Sequence, residues 1–264
     1  TRNDPGGGIL SKPLRDAIEG RIQKGEQTIL FLNRRGFSTS MICEACGHVC
    51  QCRDCSVSLT YHRAAERLVC HICGHNQRAP KSCPKCSDPK IRHAGTGTQK
   101  VEEALQRIFP KARIARMDAD SMTRKEAYRE TLGAFKEGRI DILVGTQMIA
   151  KGLHFPNVTL VGIVNADLGL HIPDFRAGER TFQLLTQVAG RAGRGEMEGE
   201  VFVQTFTPFS PSIQFARHHD FEGFMEQEME FRRSFGYPPF GKMALITLRG
   251  TMLERVEFSA ITLS

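Results

Sequence analysis

The 264-residue sequence lacks three features that would each assign it to a class of protein. No uninterrupted apolar run approaches the roughly 18 residues that a membrane-spanning helix needs, and the first residues show no basic, apolar and small-residue pattern of a secretory signal. There is also no GxxxxGK[ST] string, the loop that cradles phosphates; Gly241-Lys242 is followed by Met243 instead of a hydroxyl residue. These absences argue against a membrane-spanning protein, a secreted protein and a self-contained ATPase.

The chain starts at Thr1 and not at Met, so we expect it to be a piece of a longer protein. At roughly 150 residues per domain, its length corresponds to one large domain or two small ones. Lysine and arginine exceed aspartate and glutamate by 36 to 29. This basic excess raises the question of a polyanionic partner.

Cysteine is absent outside the segment from Cys43 to Cys86, which holds all nine cysteines of the chain. Eight of them form four CxxC pairs, a pattern that favours metal sites over a disulfide framework when nothing indicates secretion. Four thiolates close one tetrahedral site, so eight predict two structural Zn²⁺ ions with no position left open for catalysis. Binding both ions lowers the formal net charge from +7 to about +3, so overall charge becomes a weak argument for nucleic-acid binding.

The four pairs can combine into two sites in three ways. The second and third pairs enclose fourteen residues, close to the 15 or so that separate the halves of a zinc ribbon, and the loop between them has the alternation of a β-hairpin. The first and second pairs are only five residues apart, which is cramped for a ribbon. We therefore favour a nested arrangement. One site takes Cys52, Cys55, Cys70 and Cys73, and the other takes Cys43, Cys46, Cys83 and Cys86.

Cys50 and three nearby histidines are left over. Because eight cysteines already close two sites, we interpret Cys50, His48, His71 and His75 as bystanders on the surface of the module. A thiol oxidoreductase is another class that uses CxxC, but it would need one exposed pair of low pKa, not four matched pairs.

Outside the cysteine segment, helix and strand patterns alternate along the chain. Apolar runs predict strands at 28–32, 91–94, 113–117, 140–144, 158–164 and 200–206. Strands separated by helices predict a parallel sheet that is covered on both faces. The predicted fold class is therefore α/β, with the cysteine segment inserted after the first strand and with a strand-like stretch at 243–248 beginning a last unit that is cut short.

Three short strings suggest phosphate binding at strand or helix ends. Gly95-Thr-Gly-Thr98 and Gly145-Thr146-Gln147 each follow a predicted strand and open a helix, where backbone amides can hold a phosphate. For the first string, a turn that merely starts a helix is an equally good interpretation. The string Gln187-Val-Ala-Gly-Arg191-Ala-Gly-Arg194 places two arginines at a helix end, which suits contact with transferring phosphate oxygens, although surface arginines after a helix end would have the same pattern.

Taken together, these strings resemble the second RecA-like lobe of superfamily 2 helicases. Their order is QTILFLNRRG, GTGT, LVGTQMIAKGLHFPNV and QVAGRAGR. The cysteine pairs, split by five, fourteen and nine residues, together with the strings Asp174 to Arg180 and Tyr237-Pro-Pro, narrow the resemblance to the PriA family of replication-restart primosomal helicases. It covers essentially the whole chain and implies a RecA-like parallel sheet with an inserted zinc-ribbon-like module in the nested pairing.

The resemblance also implies a division of the chain. Residues 1–42 and 87–207 would form the second RecA-like lobe, 43–86 the two-zinc module, 208–241 a helical connector and 242–264 the start of a truncated C-terminal domain. The implied function is ATP-driven 3′-to-5′ unwinding of branched DNA at stalled forks and loading of the replicative helicase, in the bacterial cytoplasm and associated with the nucleoid. The implied partners are single-stranded and branched DNA, primosome proteins and single-stranded DNA-binding protein, with no membrane involved.

Site residues carry over from the family one by one. Arg194 and Arg191 would be catalytic arginines on the nucleotide phosphates, with Gln187 near the γ-phosphate of ATP bound with Mg²⁺. Thr98, Thr146 and Gln147 would face the DNA backbone. The nucleotide would sit between this lobe and a first lobe that the sequence does not contain, so we expect this chain alone to be inactive.

Two positions depart from a simple transfer. Related helicases often place an aspartate where this sequence has His154, so we expect no carboxylate function there. Arg34 and Arg35 follow a predicted strand, but solvated loop residues are at least as good an interpretation as DNA contacts. A different functional class also stays open, since a zinc-ribbon nucleic-acid or protein binding module on a non-catalytic α/β scaffold would explain the cysteines, though not the paired arginines.

Overall fold

The computed structural model describes residues 8–32, 40–62, 65–93, 97–118, 121–122, 125–146, 149, 155–190, 199–244, 246, 248 and 250–263. The chain divides into two compact units, Thr1–Glu228 and Met229–Ser264. Among the helices of these ranges, none is both long enough and apolar enough to cross a membrane.

The strands and helices of the described ranges are numbered here in chain order. The strands are β1 (Gln27–Leu32), β2 (Met41–Cys43), β3 (Thr60–His62), β4 (Arg67–Val69), β5 (Asn76–Arg78), β6 (Ile91–His93), β7 (Ile114–Met117), β8 (Ile142–Gly145), β9 (Val158–Asn165) and β10 (Glu200–Val203). The helices are α1 (Lys12–Lys24), α2 (Thr98–Ile108), α3 (Lys125–Lys136), α4 (Asp167–Leu170), α5 (Ala177–Ala189), α6 (Pro211–Arg217), α7 (Phe221–Ser234) and α8 (Leu253–Leu263).

The main sheet has five strands, all parallel, in the order β10-β9-β1-β8-β7. Central β1 is buried along its whole length, because a parallel sheet carries helices on both faces and its inner strands have no solvated side. The sequence signal for such a strand is a continuous apolar run, and this is why β1, β8 and β9 were all predicted to within about two residues. The predicted parallel α/β fold is confirmed.

Two hydrophobic cores lie on the two faces of the sheet. On one face, Leu14 of α1 and Leu105 of α2 pack with Leu30 in the middle of β1. On the other face, Phe135 of α3 and Phe182 of α5 pack with the residues of β1 that point the opposite way. Because side chains alternate along a strand, one apolar run supplies both cores.

The cysteine segment forms separate small sheets outside the main one. Strands β2 and β6 pair antiparallel, and β3, β4 and β5 form a three-stranded antiparallel sheet. The predicted hairpin is therefore present as β3 and β4. The interpretation of 91–94 as one strand of the main series is wrong, because β6 pairs with β2 at the base of the insertion.

Four further features differ from the sequence-based prediction. Strand β10 ends at Val203 and does not reach 206. The short helix α4 and the strand β5, whose three residues are all exposed, were not predicted. In the stretch expected to be strand-like near the end of the chain, the described residues Met243, Ala244, Ile246 and Leu248 lie outside any strand.

Candidate functional site

The four CxxC pairs share one backbone conformation. In each, the carbonyl of the first cysteine accepts a hydrogen bond from the N–H of the residue four positions later, at 2.8–3.0 Å. The N–H of the same cysteine donates to the carbonyl of the residue five positions later, at 2.7–2.9 Å. The residue four positions later always has a positive φ, between 51° and 76°. These residues are Gly47, Ser56, Gly74 and Ser87. We call each such turn a knuckle. It brings the two cysteines of a pair close to each other.

The knuckles bring the cysteine sulfurs together in two groups of four. Within each group, the sulfur atoms all lie within 4.8 Å of one another. The groups are Cys43, Cys46, Cys83 and Cys86, and Cys52, Cys55, Cys70 and Cys73. This is the nested grouping that the loop lengths favoured.

The spacing of the sulfurs matches zinc. The Sγ atoms of Cys43 and Cys86 are 3.6 Å apart, those of Cys46 and Cys83 3.7 Å, and those of Cys52 and Cys73 3.6 Å. Tetrahedral thiolates with Zn–S bonds of about 2.3 Å have sulfurs about 3.8 Å apart. The donor set and its geometry therefore fit two zinc ions, each closed by four thiolates.

The ninth cysteine lies inside the module and not on its surface as predicted. Cys50 is only 4% exposed, and burial, with the nearby Cys83, raises the pKa of its thiol to about 11. Among the described residues it belongs to neither sulfur group. Its thiol is therefore protonated and shielded, and we expect it to react slowly with thiol reagents in the folded protein.

The three histidines near the cysteines also stay outside both groups. His71 is exposed, and His48 and His75 are half-buried. Burial and the charge of Lys85 lower the pKa of His48, which keeps its ring neutral near pH 7. The cysteines close both groups without any of these rings.

The carboxyl ends of β7 and β8 bring two of the predicted DNA contacts to the same edge of the sheet. Thr98 opens α2, but its side chain is fully buried and its hydroxyl donates to Asp118, the residue after β7. Asp118 also accepts the Ser121 N–H at 2.8 Å and pairs with Arg116 at 3.0 Å. The hydrogen bonds fix the start of α2 against the end of β7, and the DNA contact assigned to Thr98 stays a prediction.

Asp118 was not singled out from the sequence. Burial raises the pKa of its carboxyl group, but hydrogen bonds from Thr98 and Ser121 and the charge of Arg116 outweigh this and lower the pKa below its usual value. A buried, ionised carboxylate organises this corner of the sheet edge. It lies 20 positions after Thr98 in the sequence, so no local pattern could have revealed the pair.

The remaining residues predicted to contact DNA or nucleotide follow β8 or lie at and beyond the end of α5 in the sequence. Thr146 follows β8 directly and is half-buried, and its N–H donates to the Met117 carbonyl at 3.4 Å. Gln187 lies in the last turn of α5 with an exposed side chain. Gln147, Arg191 and Arg194 lie outside the described residues, as do Arg34, Arg35 and His154.

The string from Gly236 to Lys242 shares two glycines and a lysine with a phosphate-binding loop. Such a loop follows a strand and opens a helix, with a hydroxyl residue after the lysine. Here the string follows α7, contains the Pro238-Pro239 pair and continues into Met243. It therefore lacks the setting of a nucleotide site.

Two family models match the chain. The helicase conserved C-terminal domain matches residues 89–196, and the PriA DNA helicase Cys-rich region domain matches residues 52–78. Replication restart protein PriA of Bacillus subtilis (strain 168) is 53% identical over 96% of this chain and 31% of that protein. This chain belongs to the PriA family.

A second curated relative agrees. Replication restart protein PriA of Synechocystis sp. is 47% identical over 94% of this chain and 30% of that protein. The chain thus spans about a third of the length of the curated PriA proteins that it matches. Among solved structures, S. cerevisiae Dbp5 bound to RNA and ADP BeF3 is 12% identical over 85% of this chain and 43% of that chain, with a TM-score of 0.40.

The matches also bear on the class of fold. The matched helicase domain covers α2 to the end of α5, which includes the strands β7, β8 and β9 of the parallel sheet. The matched Cys-rich region covers the hairpin and β5. A helicase C-terminal-like sheet with an inserted cysteine-rich zinc module is therefore the fold of this chain.

Proposed function

We propose that this chain is the second RecA-like lobe, with its zinc module, of an ATP-dependent 3′-to-5′ DNA helicase that restarts replication at branched or stalled-fork DNA and helps to load the replicative helicase. One observation carries this proposal. A five-stranded parallel sheet has a two-cluster cysteine module inserted after its central strand, in a chain 53% identical to a replication restart protein PriA.

The division of labour along the chain follows from this proposal. Residues 1–42 and 87–207 are the helicase lobe, 43–86 the zinc module, 208–241 a helical connector and 242–264 the beginning of a further domain. Primosome proteins and single-stranded DNA-binding protein are the partners proposed beside DNA. The name of the relatives, replication restart protein PriA, supports this assignment.

The proposed cofactors are two Zn²⁺ ions and ATP with Mg²⁺. Eight thiolates that fill two tetrahedral sites leave zinc no open position, so zinc holds the module together and takes no part in hydrolysis. ATP would lie between this lobe and a first lobe that supplies the phosphate-cradling loop. This chain alone is therefore proposed to be inactive as an ATPase.

Arg194, and after it Arg191, is proposed to neutralise charge on the transferring γ-phosphoryl group, with Gln187 beside it. Arginine suits this role because its planar guanidinium contacts two phosphate oxygens at once. Both arginines follow glycines, which allow close approach of a helix end to an opposing lobe. Exposed Gln187 at the end of α5 is compatible with an approach from that side.

Arg194→Ala in the full-length protein tests this role. We expect DNA-stimulated ATP turnover to fall by on the order of 10³-fold with ATP and DNA binding retained, and Arg194→Lys to rescue poorly. Arg139→Ala is the matched control, since Arg139 is an exposed arginine that pairs with Glu137 at 2.6 Å before β8. Normal turnover in Arg194→Ala would remove the assignment.

DNA is proposed to contact the carboxyl edge of the sheet through Thr98, Thr146 and Gln147. Contacts to the phosphate backbone predict weak binding by this chain that does not depend on base sequence and weakens with salt. Because the Thr98 hydroxyl is held by Asp118, its backbone N–H at the start of α2 is the group that we expect to face a phosphate. Tight binding of single strands at high salt, or preference for one sequence, would contradict these contacts.

A further inference from the structure

A polar junction joins the zinc module to the helicase lobe. Ser58, in the loop between the second and third knuckles, lies with its Oγ 3.5 Å from Nδ1 of His171, just after α4. Both side chains are buried, at 4% and 8% exposure. A buried hydrogen bond between residues 113 positions apart fixes one part of the module against the lobe.

A carboxylate that accepts several hydrogen bonds lies beside His171. Asp167 is fully buried and accepts hydrogen bonds from Thr207 Oγ1 at 2.6 Å, Thr205 Oγ1 at 3.1 Å and the Phe206 N–H at 2.8 Å. Its Oδ1 lies 3.6 Å from His171 Nε2. Burial raises the pKa of Asp167, but the nearby His171 ring and hydrogen bonds from Thr207 and the Phe206 N–H outweigh it and lower the pKa. Asp167 thereby ties His171 to the loop after β10.

The same loop supports the first knuckle. A Cβ on Gly47 would collide with the Phe206 carbonyl oxygen, so the knuckle backbone lies directly on this peptide. Asp167 holds the N–H of Phe206, and Gly47 covers its carbonyl. The loop is thus held from the lobe on one side and covered by the module on the other.

We propose that Asp167 and His171 are positioning residues that lock the zinc module in one orientation on the lobe, and that DNA unwinding needs this orientation. The second part rests on the proposed helicase function. These two residues and the loop after β10 contact the module at two places, Gly47 in the first knuckle and Ser58 just after the second. Two separated contacts restrain rotation as well as translation, which a single contact would not.

A thermodynamic cycle on this chain tests the lock without any assumption about helicase activity. If the module is fixed to the lobe, removing zinc with a chelator takes away that support, and the melting temperature of the parallel sheet should fall by about 2–4 °C. In His171→Ala the contact is already lost, so the chelator-induced shift should be below about 1 °C. Equal shifts in the two proteins would overturn the lock.

Matched variants separate a polar contact from simple packing. His218→Ala removes an exposed histidine after α6 and should leave the chelator-induced shift unchanged. His171→Leu fills the space without hydrogen bonds and should behave like His171→Ala, whereas His171→Asn keeps a polar atom at the Nδ1 position and should restore the shift. Ser58→Ala combined with His171→Ala should lose no more than either single change. Loss of zinc from these variants, or full rescue by Leu, would overturn the polar lock.

The full-length protein tests the consequence for unwinding. We expect His171→Ala to slow strand separation about tenfold while DNA-stimulated ATP turnover changes less than about twofold, with His171→Asn recovering unwinding. A parallel fall of both rates, or no change in either, would contradict the positioning role. If the unaltered full-length protein fails to unwind DNA, the proposed function fails, and the chelation cycle still decides whether the lock exists.

Discussion

The helicase lobe and the zinc module of this chain reach a fixed structure by different means. Central strand β1 of the lobe is buried along all six residues and packs against helices on both faces. In the module every strand has three residues, and β5 is exposed at all of them. The lobe is stabilised by the burial of apolar side chains. The module depends instead on its four knuckles, which bring the cysteine sulfurs into two groups.

The difference follows from size. A module of about 45 residues buries too little apolar surface to fold alone, and domains of that size usually need metals or disulfides. The lobe has enough helices to cover both faces of its sheet. The two regions should therefore respond differently to metal removal, to core substitution, to acid and to backbone strain.

Removing zinc is expected to have the largest effect and to separate the two regions. Because binding supplies the folding free energy of such a module, chelation should unfold residues 43–86 and leave β1 and β8 protected from hydrogen exchange. Cys52→Ser and Cys73→Ser should release the same zinc, and Cys86→Ser the other. Metal analysis with hydrogen exchange measures both.

Cys50→Ser is the control for the cysteine series, because Cys50 is buried but belongs to neither sulfur group. It should keep two zincs per chain. If Cys52→Ser and Cys43→Ser instead released one and the same zinc, the nested grouping would be excluded.

A substitution in the parallel sheet should destabilise the lobe and leave the zinc module intact. A Cβ at Gly145, the last residue of β8, would lie 2.6 Å from the Met117 carbonyl oxygen and 2.4 Å from Ile149 Cδ1. Gly145→Ala should therefore cost about 1–3 kcal/mol of unfolding free energy, because the neighbouring backbone of β7 has to shift. The module should keep both zincs, as metal analysis would verify.

Gly133→Ala is the control for that change. Gly133 lies inside α3 with open space where a Cβ would go, so alanine should raise the unfolding free energy by about 0.5–1 kcal/mol. Denaturant unfolding measures both variants. A neutral Gly145→Ala would mean that β7 and β8 adapt more freely than their packing suggests.

The same contrast explains what the sequence could predict. The apolar runs of β1, β8 and β9 carry their own signal, because a strand buried on both faces needs apolar side chains throughout. The CxxC spacing likewise favoured the sulfur grouping. Strand β5, Asn-Gln-Arg, has no apolar alternation and forms only because β4 lies beside it.

Contacts between distant residues were beyond local patterns. Ser58 and His171 are 113 positions apart, and Thr98 and Asp118 are 20 apart. Each of these residues taken alone fits a solvated loop or a helix start. The pattern at 91–94 is an ordinary strand pattern, and only the pairing with β2 shows that it belongs to the insertion.

Acid should also separate the two regions, with a smaller effect on the sheet. The folded pKa of Asp118 lies below its usual 3.8, so its contribution is present above about pH 4 and is lost as pH falls through the folded pKa. Protons compete with zinc for the cysteine thiolates at all pH values below the thiol pKa. The module should therefore release its zinc at a higher pH than that at which the sheet loses stability. A chromophoric chelator and denaturant unfolding at each pH measure the two events.

Asp118→Asn sharpens this comparison. It should lower the unfolding free energy at neutral pH by about 1–3 kcal/mol, because the bonds from Thr98 and Ser121 lose a charged acceptor. It should also flatten the acid limb of sheet stability without moving the pH of zinc release. Zinc release that shifted together with the sheet would show that the two regions unfold as one.

The smallest effect concerns the knuckles themselves, which share a conformation but not a residue. Ser87 adopts φ 62° where the equivalent Gly74 adopts φ 76°, and a left-handed backbone costs an L-residue roughly 1–2 kcal/mol that glycine avoids. Glycine loses more backbone freedom on folding, by about 0.5–1 kcal/mol, which offsets part of that gain. Ser87→Gly should therefore tighten zinc retention slightly, by up to about 1 kcal/mol in competition with a chelator.

Gly74→Ser should weaken zinc retention by a similar amount. No atom lies within 4 Å of a Cβ at this position, so the change measures the backbone conformation alone. Gly47→Ser should weaken it more, because its Cβ would also meet the Phe206 carbonyl. Equal losses at Gly47 and Gly74 would show that the first knuckle moves freely on the lobe.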